Sequence, residues 1–202
     1  MAEQLKIIPM ADGSKAITAE DVKPTVLPDA YLQSSIARSF KSFHMPRYRD
    51  LPAVPLYRDQ VIALVEEVLS PLNDCAEGPW LTPSMVNNYV KMKLVGAPVK
   101  KQYGRDQVAG LISVCIFKQF LPISAIAGLL KIQSVTYTSE RAYNYLASEL
   151  ERALHSAFTA ETPSPDTSGH VNTRESLLVQ SGVSAFVSKA YLMGYLKFTG
   201  LE

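Results

Sequence analysis

The chain has 202 residues, of which 47% are hydrophobic and 19% are charged, and its formal net charge is only +1. This length and apolar content suit one hydrophobic core, with or without an appended subdomain, and argue against disorder throughout. The near-neutral charge excludes a uniformly basic nucleic-acid binder, so any affinity for nucleic acid depends on where the cations lie.

The N-terminal part of the chain is expected to hold an arm and two helices. Residues 1–28 mix charges, a glycine and prolines without a sustained period, which predicts a flexible N-terminal arm. Asp29 is a candidate N-cap for a first helix, whose apolar stripe is formed by Leu32, Ile36, Phe40 and Phe43. The prolines of the segment PRYRDLPAVP favour an extended connector, after which a second helix is expected from about Leu56 to Pro71.

A third helix is expected from Pro83 to Lys93, with Thr82 as its N-cap. It lies in the segment 81–105, LTPSMVNNYVKMKLVGAPVKKQYGR, which contains five cations and neither aspartate nor glutamate. At 100° per residue, one face of this helix is apolar and includes Tyr89, which is therefore expected in the core. The opposite face is polar and carries Ser84, Asn87, Asn88 and Lys91.

The segment that follows, residues 98–105, is long enough only for a turn or a tiny hairpin. Its cations are Lys100, Lys101 and Arg105. A central helix then begins near Gly104 or Arg105 and is apolar on most sides. These features predict a basic, wing-sized connector that leads into the middle of the core.

Three more helices are expected toward the C-terminus. They lie near residues 123–132, over about 138–160 with Glu149, Glu151 and Arg152 on the solvated side, and over about 173–198. The composition of TPSPDTSGH predicts a linker between the last two. The fold class is therefore all-α, with a small β-wing at most, and residues 136–202 form a C-terminal helical segment for packing and dimerisation.

The block from LTPSMVNNYVK to ISAIAGLL resembles the DNA-binding domain of MerR-type regulators, in which a tyrosine-bearing recognition helix, a basic wing, a central helix and a further helix follow one another. A closer resemblance is to a bacterial family named domain of unknown function 1836. Its members share the NNYVK helix, the PVKK-x-Y wing, an apolar helix with a Lys-Gln pair, and an upstream segment that is PRYRDLPAVPLYRDQV here. The resemblance implies a MerR-like winged helix-turn-helix domain over residues 29–135 and, by analogy, transcriptional regulation. The chain departs from MerR regulators in having Asn87 and Asn88 where they carry an arginine, so their base contacts are not carried over.

The acid-free polar face supports a DNA-binding hypothesis on physical grounds as well. Asparagine reads adenine bidentately in the major groove, and a face without carboxylates approaches phosphates without repulsion. On this hypothesis helix 83–93 is the recognition helix and segment 98–105 is the wing on the phosphates. The partner is double-stranded DNA, and a homodimer is expected because one short recognition helix gives little affinity. The expected DNA-binding residues are Ser84, Asn87, Asn88, Lys91, Lys100, Lys101 and Arg105.

Two alternatives to DNA binding stay open. One is a solvated helix face that lacks acids by chance. The other is a non-catalytic module that keeps the winged fold and binds another protein, through the same face or through the apolar C-terminal helix. A second basic run, which includes Arg47 and Arg49, is interpreted as the outer face of a helix and its connector.

Other functional classes find little support in the sequence. Neither a catalytic constellation nor a bound metal or cofactor is expected, because the three histidines lie far apart without ligands at suitable spacing. Cys115 is expected to be an inert core thiol, and Cys75 in a loop is a weak candidate for redox sensing. A tyrosine set is a candidate for lining a small-molecule effector pocket between the two C-terminal helices, although core packing is the simpler interpretation: Tyr143, Tyr145, Tyr191 and Tyr195. Without a signal peptide or a membrane span, the expected location is the cytoplasm.

Overall fold

The computed structural model describes residues 31–159 and 174–199, and these are mostly helical. The helices are α1 (Ser35–Lys41), α2 (Arg58–Leu69), α3 (Pro83–Lys91), α4 (Arg105–Phe117), α5 (Ile123–Thr136), α6 (Ser139–Ala157) and α7 (Arg174–Thr199). Short 3₁₀ helices occupy Tyr48–Asp50 and Ser70–Cys75. Two strands, β1 (Leu56–Tyr57) and β2 (Gln102–Tyr103), pair antiparallel. The all-α prediction is confirmed, with a minimal two-stranded sheet; the predicted arm, Asp29 and the linker TPSPDTSGH lie outside the described residues.

The start of α1 and the end of α3 differ from the predicted boundaries because of local capping. Helix α1 begins at Ser35, since the Ser34 side chain accepts a hydrogen bond from the Ala37 N–H at 3.2 Å. Helix α3 begins as predicted, because the Thr82 hydroxyl accepts from the Met85 N–H at 3.2 Å and Pro83 needs no partner. It ends at Lys91 rather than at Lys93, because the backbone of Lys93 turns into the left-handed region.

Helix α4 is the centre of the core, as its apolar sequence predicted. Nine of its residues are buried, and α6 and α7 pack against it and against α1. The apolar face of α7, formed by Val183, Phe186, Val187 and Ala190, is buried in this core. That face is therefore unavailable for binding another protein, whereas Tyr195 and Phe198 near the end of the same helix are 40% and 42% exposed. Protein binding through the C-terminal helix stays a prediction.

The long connection between α2 and α3 is fixed by Trp80, which is fully buried. Its indole N–H donates to the Asn73 side chain at 2.7 Å, and its carbonyl oxygen accepts from the Lys118 ammonium. Burial lowers the pKa of Lys118. The connection is consequently an ordered part of the core that presents the N-terminus of α3.

The prediction that Glu149 and Glu151 lie on a solvated face is wrong. Glu149 is buried and pairs with Arg152, with 2.7 Å between Arg152 Nη2 and the carboxylate. Glu151 accepts hydrogen bonds from both Arg47 Nη atoms, at 3.0 and 2.6 Å, and from the Met45 N–H at 2.8 Å. Helical spacing alone missed this because the segment before α2 folds back over α6.

Both cysteines are buried, and burial raises the pKa of each thiol to about 12. Since the thiolate is the reactive form, we expect native protein at mildly alkaline pH to react very slowly with Ellman's reagent. In the denatured chain both thiols are expected to react with the reagent at once. Rapid reaction of Cys75 in the native state would contradict its buried position and would support a redox-sensing role.

Among the described helices, none is both long enough and apolar enough to cross a membrane. Within the same residues, His, Cys, Asp and Glu side chains do not gather in threes as a metal site requires.

Candidate nucleic-acid interface

Helix α2 packs against both α3 and the hairpin that follows α3 in the chain. Strand β1 runs directly into α2 and pairs with β2, with Leu56 opposite Tyr103 and Tyr57 opposite Gln102. Helix α2 also packs against α3 and against β2. The predicted wing is therefore a hairpin anchored to the strand before α2, and it lies beside the same helix that supports α3.

Helix α3 divides into a buried face and an exposed face, as its sequence predicted. Val86 and Tyr89 are buried, and Tyr89 is only 3% exposed. The side chains predicted for the outer face are all exposed: Ser84, Asn87, Asn88 and Lys91. Since the first turn of α3 contains no acidic residue, its N-terminal amides are not neutralised by a carboxylate of that turn.

The C-terminal end of α3 is a Schellman motif with a lysine at its left-handed position. The Leu94 N–H donates to the Tyr89 carbonyl at 2.9 Å, and the Lys93 N–H donates to the Val90 carbonyl at 3.0 Å. Lys93 has φ of 59°, a conformation that glycine adopts most easily. This arrangement turns the chain sharply and leaves the Lys93 side chain exposed.

The tip of the hairpin is a two-residue turn made of two lysines. Val99 and Gln102 exchange backbone hydrogen bonds at 3.0 and 2.9 Å, and between them Lys100 and Lys101 have φ of 49° and 64°. Positive φ at both central residues is typical of a type I′ turn, for which Asn-Gly is the favoured sequence. The sequence here instead places two exposed cations at the tip.

We call the exposed side chains of α3 and of these two turns the basic surface: Ser84, Asn87, Asn88, Lys91, Lys93, Lys100 and Lys101. Its four lysines have no ion-pair partner within the described part of the chain. By contrast, Arg47 pairs with Glu151 and Arg49 with Glu140, so the charges of these two arginines of the second basic run are offset by carboxylates of the protein. The basic surface therefore keeps an uncompensated positive charge.

Arg105 lies apart from the tip of the hairpin. It is the first residue of α4, not a residue of the wing as predicted. Its Nε donates to the Leu51 carbonyl at 3.0 Å, and its guanidinium lies 5.5 Å from the centroid of the Tyr48 ring. Because these contacts hold the side chain against the protein, Arg105 is less free than the lysines to follow a phosphate.

Sequence reasoning missed two residues at this interface. Lys93 was left out because the helix was expected to continue to residue 93, where a helical position does not place this side chain on the polar face. In the structure the helix has already ended at Lys91. Tyr57 is 56% exposed on β1, directly opposite the wing residue Gln102. Its hydroxyl is of a type that donates to phosphate oxygens. Tyr57 could have been found from its position, because a residue that lies between Pro55 and the start of α2 is expected in an extended segment rather than in the first turn of the helix.

Fold and surface together define a helical protein whose small hairpin and adjacent helix expose lysines and amides without carboxylates. The model of the family described as Domain of unknown function (DUF1836) matches residues 46–146, which is half of the chain. The chain belongs to this family. The match extends from the segment before the short 3₁₀ helix at Tyr48–Asp50 into α6, so it covers the whole interface. Neither the curated proteins nor the solved structures include a significant match to the chain.

Proposed function

We propose that the protein is a non-catalytic DNA-binding transcriptional regulator, with α3 in the major groove and the hairpin tip on the phosphate backbone. The observation that carries this proposal is the position of Lys93, Lys100 and Lys101. Among the described residues, these three are the non-glycine residues with positive φ. Each left-handed residue costs about 1–2 kcal/mol, which glycine would avoid. The presence of lysine at all three left-handed positions of these two turns, where glycine would cost less, supports a role for the cations at this surface.

The order of elements supports a MerR-like winged helix-turn-helix. A strand leads into α2, α3 follows, and a hairpin paired with that strand leads into α4. In this interpretation α2 and α3 are the helix-turn-helix pair. The connection over residues 70–82 is longer than the three or four residues of a simple helix-turn-helix turn, and it contains the 3₁₀ helix that packs against α7.

The chemistry of α3 suits the major groove. Asn87 and Asn88 offer the donor and acceptor pair that matches adenine N7 and N6. Ser84 lies in the first turn, where hydroxyl and backbone N–H groups contact a phosphate. Lys91 in the last turn offers a further phosphate contact.

We also propose that the protein binds DNA as a homodimer, because nine residues of α3 reach only a short half-site. Helix α5 offers a surface for this contact. It is apolar in sequence, yet Ile126 is its one buried residue, and Ile132 and Val135 are 43% and 84% exposed. Exposed apolar side chains on one helix are typical of an interface between copies.

The second candidate function is protein binding through the basic surface, which would suit an acidic partner. The same observation of uncompensated lysines favours it. The two functions differ in what the wild-type protein enriches: DNA fragments with a common sequence, or an acidic protein with no DNA requirement.

The test is a pull-down of sheared genomic DNA by the full chain, followed by sequencing, with the variant Lys91→Glu/Lys100→Glu/Lys101→Glu for comparison. We expect the wild type alone to enrich a few inverted-repeat sites. On such a site, four lysine–phosphate contacts per protomer give eight per dimer and predict a slope of log affinity against log salt of about −7.

The variant Arg38→Glu, an exposed arginine on α1 outside both the basic surface and α5, is the matched control and is expected to bind DNA like the wild type. Circular dichroism verifies that each variant keeps its helicity. Equal enrichment by the wild type and the triple variant would refute the DNA-binding proposal.

A further inference from the structure

Two neighbouring asparagines occupy the middle of the exposed face of α3. Asn87 and Asn88 are exposed, and neither forms a side-chain hydrogen bond with any residue that the structure describes. The other two asparagines in the described ranges are both used by the fold. The side-chain oxygen of Asn73 accepts from a tryptophan indole N–H at 2.7 Å, and that of Asn144 accepts from a backbone N–H at 2.8 Å. The amides of Asn87 and Asn88 therefore remain available to a partner.

Helix formation does not account for these two residues. Asparagine is less favourable than alanine in a helix interior, because its amide competes for backbone hydrogen bonds. Asparagine is common at a helix start, but the N-cap of α3 is Thr82, and Asn87 and Asn88 are the fifth and sixth of the nine helical residues. The fold by itself therefore gains nothing from the two amides.

The composition of α3 narrows the base pairs that the helix can read. In the major groove arginine and lysine read guanine through O6 and N7, acidic side chains read cytosine through N4, and asparagine and glutamine read adenine through N6 and N7. Helix α3 contains no arginine, aspartate, glutamate or glutamine, and its one lysine is Lys91 in the last turn. The centre of its exposed face therefore carries side chains that read A·T pairs.

Met92 adds an apolar group beside Asn88. Its N–H donates to the Asn88 carbonyl at 2.9 Å, so Met92 lies one helical turn after Asn88. The Met92 side chain is 44% exposed. An A·T pair presents the thymine methyl group in the major groove, where apolar side chains contact it. An exposed methionine at this position suits the same base pair as the asparagine.

The two asparagines point in different directions. Successive residues of a helix are 100° apart, so Asn87 and Asn88 diverge on either side of the line through Ser84 and Lys91. One adenine offers a single N6 and N7 edge, which satisfies one asparagine amide. Two asparagines therefore require two adenines.

We propose that α3 reads two A·T base pairs in each half-site, one adenine through Asn87 and another through Asn88. This inference rests on the DNA-binding function proposed above and names the sequence class of that DNA. The lysines of the basic surface, which have no ion-pair partner among the described residues, match the phosphates on either side of these pairs.

In vitro selection from random duplex DNA by the full chain identifies the sequence that is read. We expect the wild type to select half-sites with two A·T pairs. Asn87→Ala should lose the preference at one of these positions and Asn88→Ala at the other, with helicity retained because alanine favours a helix. Lys100→Ala/Lys101→Ala is the control. It should weaken binding to every sequence alike and select the same sequence, because phosphate contacts carry no sequence information.

Substitution of 7-deazaadenine for adenine tests the contact at a single atom. This base pairs with thymine and keeps the minor groove of adenine, but it lacks the N7 acceptor. One substitution in one half-site should weaken wild-type binding by about two- to tenfold, the effect of one neutral hydrogen bond. The variant without the matching asparagine should bind the two DNAs equally. Replacing the same A·T pair by G·C should weaken wild-type binding by about five- to 150-fold.

The outcomes separate this inference from the function on which it rests. Failure of the wild type to bind any duplex would overturn both. Three results would overturn the inference alone and leave DNA binding in place: an unchanged sequence preference in both asparagine variants, selection of G·C pairs at the positions that these variants affect, or wild-type affinity that 7-deazaadenine does not change.

Discussion

Replacing Lys100 by asparagine and Lys101 by glycine is expected to make the folded protein more stable and its binding to DNA weaker. Both residues have positive φ in a two-residue turn, and Asn-Gly is the sequence that such a turn favours. We expect the free energy of unfolding to rise by about 1–2 kcal/mol, because part of the left-handed cost at two residues is removed. Loss of two phosphate contacts per protomer, or four per dimer, should reduce the magnitude of the salt slope by about 3.6. Urea unfolding and a salt titration of DNA affinity measure the two effects.

The controls separate charge from backbone conformation. Lys100→Arg/Lys101→Arg retains both charges and the unfavourable turn, so its stability and DNA affinity should both stay near those of the wild type. Arg38→Gln removes a charge on α1 and should change neither. A stabilised Asn-Gly variant with undiminished DNA affinity would show that the hairpin tip does not contact phosphate. A destabilised one would show that the turn differs from the type I′ geometry.

Glu151→Ala is expected to lower the free energy of unfolding by about 3 kcal/mol, because its carboxylate is the common acceptor for the segment before the 3₁₀ helix at Tyr48–Asp50. The substitution leaves both Arg47 Nη atoms and the Met45 N–H without this acceptor. His44 Nδ1 also lies 2.9 Å from the same carboxylate. Thermal and urea unfolding measure the loss.

Glu140→Ala is the matched control for this prediction. Glu140 lies on α6, like Glu151, and pairs with Arg49 at 2.9 Å, but the Arg49 side chain is 83% exposed. An exposed pair of this kind contributes less than about 1 kcal/mol. Similar losses from Glu140→Ala and Glu151→Ala would contradict the role of Glu151 as the anchor of this segment.

The sequence predicted the class, most of the helices and the two faces of α3, because these depend on periodicity and on local caps. Thr82 and Pro83 fixed the start of α3, and the apolar run after Gly104 fixed the central helix. The residues of α3 and of the hairpin tip that the pattern assigned to DNA contact are exposed, and their function stays a proposal.

Features that depend on contacts between distant segments were missed. The fold-back that pairs Glu151 with Met45 and Arg47 joins residues more than a hundred positions apart, and periodicity carries no information about such a contact. Arg105 was assigned to the wing because its charge is visible in the sequence, whereas its contact with Leu51 is not. Lys93 was overlooked because the left-handed end of α3 is normally signalled by glycine or asparagine, and this chain has neither there.

The buried indole of Trp80 gives the protein an internal fluorescence reporter. Trp80 is the one tryptophan of the 202 residues, so emission from this side chain is not mixed with emission from another indole. Its ring is fully enclosed between the α2–α3 connection and the core, and its N–H is held by Asn73. The wavelength of emission therefore reports whether the segment that presents α3 is docked, and the same signal follows the assembly of this face during refolding.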